Sequence, residues 1–157
     1  MIFILQNIRS AWNVGSIFRT ADAVGGQVVC LGYTAKPVEP AIKLIRKTAI
    51  GAEKTVKWYG VESVNEVIEQ FPHIDYQHFA IEINEQSENL LTYLSNHPVP
   101  NLDKVCLWLG NEIGGLDQSA LNVCEHITHL PMKGLKESLN VANTATAVAY
   151  LFWQNLL

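Results

Sequence analysis

The sequence predicts an α/β fold, a mainly parallel sheet flanked by helices, in a single domain over residues 1–157. Three observations predict it. Short apolar runs alternate with amphipathic helical patterns along the chain, as in strands joined by helical crossovers. Several runs are nearly continuous in apolar residues, as strands covered on both faces require. A length of 157 residues, with 48% hydrophobic and 17% charged side chains, suits one domain and excludes a disordered chain.

The predicted strands cover residues 2–5, 28–31, 55–58, 79–83, 105–109 and 127–130. In the first helix Val14, Ile17, Phe18, Ala21 and Val24 form one apolar stripe at helical spacing. Asn13 is placed to cap its start and Gly25-Gly26 to end it. Further helical patterns cover 40–50, 62–71, 89–95, 117–124 and about 139 to the end, with no repeat or linker between them.

Cys30 and Cys106 lie in apolar runs and no CxxC occurs, so they read as reduced core residues of a cytoplasmic protein. The N-terminus lacks a basic, then apolar, leader pattern. No charged residue follows Glu137, but Asn140, Asn143, Thr144, Thr146, Gln154 and Asn155 interrupt that stretch, whereas a membrane span needs roughly 20 mostly apolar residues. The pattern fits a helix buried in protein or at a subunit interface, with no membrane partner.

The net charge of −4 conceals an asymmetry. Residues 1–57 carry eight Lys/Arg against three Asp/Glu, and the remainder three against twelve. A basic N-terminal third can attract phosphates while the whole chain stays acidic. On charge alone, an imbalance of solvated surface explains it equally well.

Three segments combine glycine, amide, carboxylate and guanidinium groups at strand ends, where open α/β sheets bind ligands. In the first, residues 7–22, Arg19 follows Asn13 by six residues. Arg19 reads either as a surface residue lying over the helix or as a phosphate or ribose contact. The second, Leu109-Gly110-Asn111-Glu112-Ile113-Gly114-Gly115, follows a strand and matches neither a P-loop nor GxGxxG; alone it is also consistent with a tight turn. The third runs from Leu130 to Ala142, where Ser138 and Asn140 open the last helix as caps or as ligand contacts.

In order, NxGxxxR, LGNExxG and PMxGxxxSLNVA resemble the three motifs of the TrmH/SpoU branch of the SPOUT methyltransferases, over almost the whole chain. The KTAIGAE stretch at 47–53 also resembles a segment common in that branch. The resemblance implies a C-terminal trefoil knot, which general chain-topology rules treat as near-absent. It implies a homodimer that holds S-adenosylmethionine in the knotted loops and methylates a ribose 2′-hydroxyl of RNA, releasing S-adenosylhomocysteine. Asn13, Arg19, Glu112, Ser138 and Asn140 then match the family's catalytic positions. Leu109, Gly110, Asn111, Glu112, Gly114, Leu130, Met132, Ser138 and Leu139 fall where the family holds the cofactor, with Ile81 and Glu82 completing the wall. Leu130 stands where the family often has isoleucine.

Arg9, Arg19, Lys43, Arg46 and Lys47 are the expected RNA contacts, and Trp12, Tyr33 and Trp58 the candidate stacking surfaces, with Trp58 reading equally well as a core residue. The resemblance also implies a substrate: short single-domain members of that branch are often associated with transfer RNA and longer ones include ribosomal RNA enzymes, so transfer RNA is expected over ribosomal RNA. A guanidinium keeps its proton up to a pH above about 12. The resemblance implies Arg19 as the general base, and that basicity leaves two versions of the chemistry: Arg19, activated by a substrate phosphate, takes the proton, or Arg19 stays cationic and Glu112 or water accepts it. A catalytically silent RNA- or cofactor-binding module is the alternative reading. A nucleotide-dependent oxidoreductase would need GxGxxG after the first strand, where residues 6–12 stand instead. His126 and His129, three apart in a strand, point to opposite faces, so no metal site is expected. His73, His78 and His97 read as loop or surface residues.

Overall fold

The computed structural model describes residues 1–156, and the predicted alternation takes this form: β1 (Ile2–Gln6), α1 (Ala11–Ala23), β2 (Gln27–Leu31), α2 (Ile42–Ala49), α3 (Ala52–Thr55), β3 (Trp58–Val61), α4 (Val64–Gln70), β4 (Gln77–Ile81), β5 (Glu88–Asn89), α5 (Leu90–Asn96), β6 (Val105–Leu109), α6 (Gln118–Asn122), β7 (His126–His129) and α7 (Val141–Gln154). The strands form one sheet in the order β3-β2-β1-β6-β4-β7-β5, and every pair is parallel.

The period of two in the strands sorts the core into two layers. Phe3, Leu5, Val28, Cys30, Phe79, Leu107 and Leu109 join a cluster with α1, α2, α5 and α7. Ile2, Ile4, Val29, Ala80, Cys106 and Trp108 face the other way, with Val67 of α4 and Ala120 of α6. Both faces of β1 and β6 are therefore dry, which is why their sequences are continuous apolar runs. Full burial of each such side chain contributes about 1.5–3 kcal/mol.

Helix α1 begins one turn earlier than the sequence suggested. Ser10, not Asn13, is its cap: the Ser10 hydroxyl accepts the Asn13 backbone N–H at 3.3 Å. Its end is as expected. Gly25 adopts φ +65°, Gly26 N–H donates to Ala21 O at 2.7 Å and Gly25 N–H to Asp22 O at 3.3 Å, a Schellman motif. Gly15 sits where α1 meets α2, and a Cβ there would overlap the Thr48 hydroxyl and the Ile45 carbonyl. The motif glycine is a packing residue.

Other boundaries shift. The predicted strand 55–58 splits, because Thr55 closes the turn α3 and pairing with β2 begins at Trp58. The last helix starts at Val141 rather than near 139, with the Asn140 side chain accepting Ala142 N–H at 2.9 Å; Ser138 lies outside it. The two-residue β5 was not expected. His78 is fully buried, not a loop or surface residue: Trp108 Nε1–H donates to its Nδ1 at 2.9 Å, and its Nε2 lies 2.8 Å from Phe71 O. His73 and His97 are exposed. Among the described residues, no helix is long and apolar enough to cross a membrane.

Candidate active site

The C-terminal ends of β4, β6 and β7, together with the entry to α7, enclose a cavity of about 540 Å³. That lies within the range of small-molecule sites, roughly 300–1,000 Å³. Ile81, Leu109, Leu130, Leu139 and Val141 give it apolar walls. Its charged lining consists of Glu82, Glu112 and Glu137, with no Lys or Arg. A polyphosphate would find no counter-charge there, whereas a cation joined to an apolar body is matched on both counts.

The loop after β6 is built by two side chains. Asn111 Oδ1 accepts the N–H groups of Ile113 at 2.8 Å and Gly114 at 3.2 Å, while its Nδ2 donates to Asn7 O at 3.0 Å and to the Tyr33 hydroxyl at 2.9 Å. Glu82 Oε2 accepts Leu116 N–H at 2.8 Å, and Oε1 accepts Ile83 N–H at 3.0 Å. Gly115 has φ +67°, and a Cβ there would overlap the Glu82 carboxylate. Asn111 and Glu82 thus line the cavity while their polar atoms shape the loop. Beyond the loop, Asp117 caps α6. Burial pushes its carboxyl up, but bonds from the Ser119 hydroxyl, the Ala120 N–H and Gln6 outweigh this and hold it below the usual range.

Three predicted catalytic residues meet although they are distant in sequence. Asn13 Nδ2 donates to Glu112 Oε1 at 2.6 Å, and Asn13 Oδ1 accepts from Asn140 Nδ2 at 3.2 Å. One amide of α1 therefore joins the β6 loop to the start of α7. Glu112 and Asn140 line the cavity with Ser138 beside them, and Asn13 supports them from behind.

Arg19 is not brought to this cavity. It is exposed in a second groove, of about 420 Å³, with Lys47, Thr146 and Tyr150, between α1, α2 and α7. Of the predicted cofactor residues, Ile81, Glu82, Leu109, Gly110, Asn111, Glu112, Leu130, Met132, Ser138 and Leu139 line the cavity, and Gly114 does not. Arg9, Lys43, Arg46 and Lys47 are all exposed. Arg46 lies 3.6 Å from Glu53, Arg9 covers the Tyr33 ring at 4.9 Å, and Lys47 covers the Trp12 ring at 5.4 Å. Ile83, Ile113, Gly115, His129, Glu137, Val141 and Thr144 also line the cavity and were not expected from the sequence. His129 had a usable signal, because it ends a strand that leads into the third motif; its Nδ1 bonds the Ser87 hydroxyl at 2.9 Å.

A family model described as the SpoU rRNA Methylase family matches residues 1–150. The chain is 26% identical over 146 residues to the tRNA (guanosine(18)-2′-O)-methyltransferase of Escherichia coli, covering 93% of this chain and 59% of that protein. It is 29% identical over 150 residues to the 23S rRNA (uridine(2479)-2′-O)-methyltransferase of Streptomyces viridochromogenes, covering 90% and 48%. It therefore spans about half to three-fifths of these relatives' length. The fold superposes on an AdoMet-bound rRNA methyltransferase from Sinorhizobium meliloti with a TM-score of 0.85, at 22% identity, over 99% of this chain and 56% of the other.

Proposed function

Because the chain belongs to the SpoU rRNA methylase family, we propose that it moves a methyl group from S-adenosylmethionine to a ribose 2′-hydroxyl of RNA. The observation that carries this is the cavity's lining, three glutamates and no Lys or Arg around apolar walls. Such a lining fits the sulfonium and ammonium charges of that donor and the apolar faces of its adenine.

When bound, S-adenosylmethionine supplies an electrophilic methyl carbon on sulfur. To receive that methyl group, the ribose 2′-oxygen would have to be held in line with the carbon and give up its proton to a residue of this chain or to water. Glu112 is the acceptor of that proton, since it is the motif carboxylate in the cavity. Asn13 fixes its Oε1, leaving Oε2 for the substrate. Ser138 and Asn140 orient the ribose from the α7 side. Arg19 stays cationic and holds the adjacent phosphate.

Arg19 lies outside the cavity of its own chain, so we propose that it meets the phosphate at the cavity of a second copy. Tyr150, Trp153 and Leu156 leave an exposed apolar face on and just beyond α7, and Tyr150 also lines the Arg19 groove. A homodimer through this face would place Arg19 at the subunit boundary. We read residues 1–157 as one methyltransferase domain, and the loops at 110–116 and 130–140 as the family's trefoil knot. Transfer RNA is the proposed substrate, with Arg9, Lys43, Arg46 and Lys47 contacting its backbone.

The test is binding of labelled S-adenosylmethionine, then methyl transfer to total RNA and a map of 2′-O-methyl sites in cells with and without the protein. Loss of one tRNA site without the protein is expected. A lost ribosomal RNA site would replace the substrate, and binding without transfer would reduce the protein to a binding module.

A further inference from the structure

A tyrosine that merely packs a loop buries its ring and turns its hydroxyl to water. Tyr33 does the reverse. Its hydroxyl accepts a bond from Asn111 at 2.9 Å, and its backbone N–H donates to Asn7 Oδ1 at 3.3 Å, yet the residue is 52% exposed. Asn7 sits at φ +59° and Gly32 at +64°, and a Cβ on Gly32 would overlap the Asn7 amide oxygen. The turn therefore fixes the backbone of Tyr33 and Asn111 of the β6 loop fixes its hydroxyl, while half of the residue stays accessible. The Arg9 guanidinium lies 4.9 Å from the ring centroid, and Arg9 has no carboxylate partner among the described residues. Asn111, which anchors the hydroxyl, also lines the cavity.

We propose that Tyr33, with Arg9 across its ring, is a platform on which an unpaired base of the RNA stacks at the mouth of the cavity. This rests on the RNA reading above and adds to it the form of RNA recognised: single-stranded nucleotides, such as those of a loop, rather than duplex. Unpaired bases are read by stacking on aromatic rings or guanidinium planes. A ring immobilised before binding loses little freedom when the base arrives. Arg9 supplies a cation to the phosphate next to that base. Anchoring through Asn111 sets a base on Tyr33 beside the loop that carries Glu112.

The experiment titrates a short fluorescein-labelled single-stranded RNA of mixed sequence, and the same RNA annealed to its complement, against the full chain and its Tyr33→Phe, Tyr33→Leu and Arg9→Ala variants. Calorimetric binding of S-adenosylmethionine serves as the control for an intact cavity. Tyr33→Phe is expected to bind the single strand within about twofold of wild type. Tyr33→Leu should lose about 5- to 150-fold, the equivalent of roughly 1–3 kcal/mol per stacked base. Arg9→Ala should weaken single-strand binding and flatten its salt dependence. Tyr33→Leu at wild-type affinity, or an equal loss for the duplex, overturns the platform. So does a Tyr33→Phe loss as large as that of Tyr33→Leu, because the hydroxyl's structural bond would then be the cause. RNA binding with this Tyr33 dependence but no methyl transfer would sink the proposed activity and leave the platform standing.

Discussion

The Asn13 amide holds the Glu112 carboxylate at 2.6 Å across 99 residues of sequence, and its other end accepts from Asn140. A carboxylate only accepts hydrogen bonds, so Asn13 must present its NH₂ to Glu112 and its oxygen to Asn140. The three side chains are one unit. Each motif contributes one member, which explains in physical terms why the motifs occur together.

Glu112→Gln tests the proton acceptor. Glutamine keeps an oxygen for the Asn13 amide and loses basicity. Loss of general-base action typically costs about 10²–10⁴-fold in rate. We expect single-turnover methyl transfer to fall by that factor while S-adenosylmethionine affinity changes by less than about tenfold. Transfer near the wild-type rate would move the proton to water or to Arg19.

Arg19→Ala should abolish transfer and leave cofactor affinity nearly intact, because Arg19 lies in the groove with Lys47 and Tyr150 and not in the cavity. Arg19→Lys should rescue little, since an ammonium cannot reproduce a planar two-pronged contact to phosphate. Equilibrium dialysis with labelled cofactor and a transfer assay on the same samples check both parts. Substantial turnover by Arg19→Ala on the native RNA would remove Arg19 from the mechanism.

Most of the sheet was legible because buried parallel strands are written as apolar runs, and the end of α1 because a Schellman turn calls for glycine at positive φ. The start of α1 was misread for a physical reason. Ser10 and Asn13 are both good caps three residues apart, and what removes Asn13 from capping is Glu112, far along the chain. His78 was illegible for the same kind of reason. A histidine next to an apolar run reads as surface unless its partner is known, and Trp108 lies on another strand. The cavity's position followed from the strand ends. That Asn111 and Glu82 shape the loop follows only from distances. The separation of Arg19 from Glu112 likewise depends on how α1 rotates against α7, which no periodicity states.

Gly15→Ala should destabilise the fold without touching the cavity. Alanine is the better helix former, so propensity alone predicts stabilisation. Here the added methyl would overlap the Thr48 hydroxyl and the Ile45 carbonyl, forcing α1 from α2. Overpacking of this kind costs about 1–3 kcal/mol. The urea midpoint is expected to fall accordingly, and adding Thr48→Ala should restore only part of it, because the Ile45 carbonyl is backbone. A raised midpoint would mean that the helices separate freely.

His78 should make stability depend on pH. Its Nδ1 accepts from Trp108, so the buried ring is neutral with its proton on Nε2, facing Phe71 O. Burial lowers its pKa from the ordinary histidine value; the Phe71 carbonyl and Glu125 oppose the shift in part, and His73 reinforces it. The unfolded chain therefore takes up this proton before the folded one does, and stability rises with pH across that window. The contribution is fully present above about pH 6.5 and is lost as pH falls below it. His126 is shifted the same way by burial, so the wild-type slope contains both histidines. Thermal unfolding between about pH 7 and 5 should show a falling Tm for the wild type. His78→Gln should be less stable at neutral pH and show a shallower slope, since glutamine does not titrate. An unchanged slope in that variant would assign the pH dependence to His126 and the carboxylates.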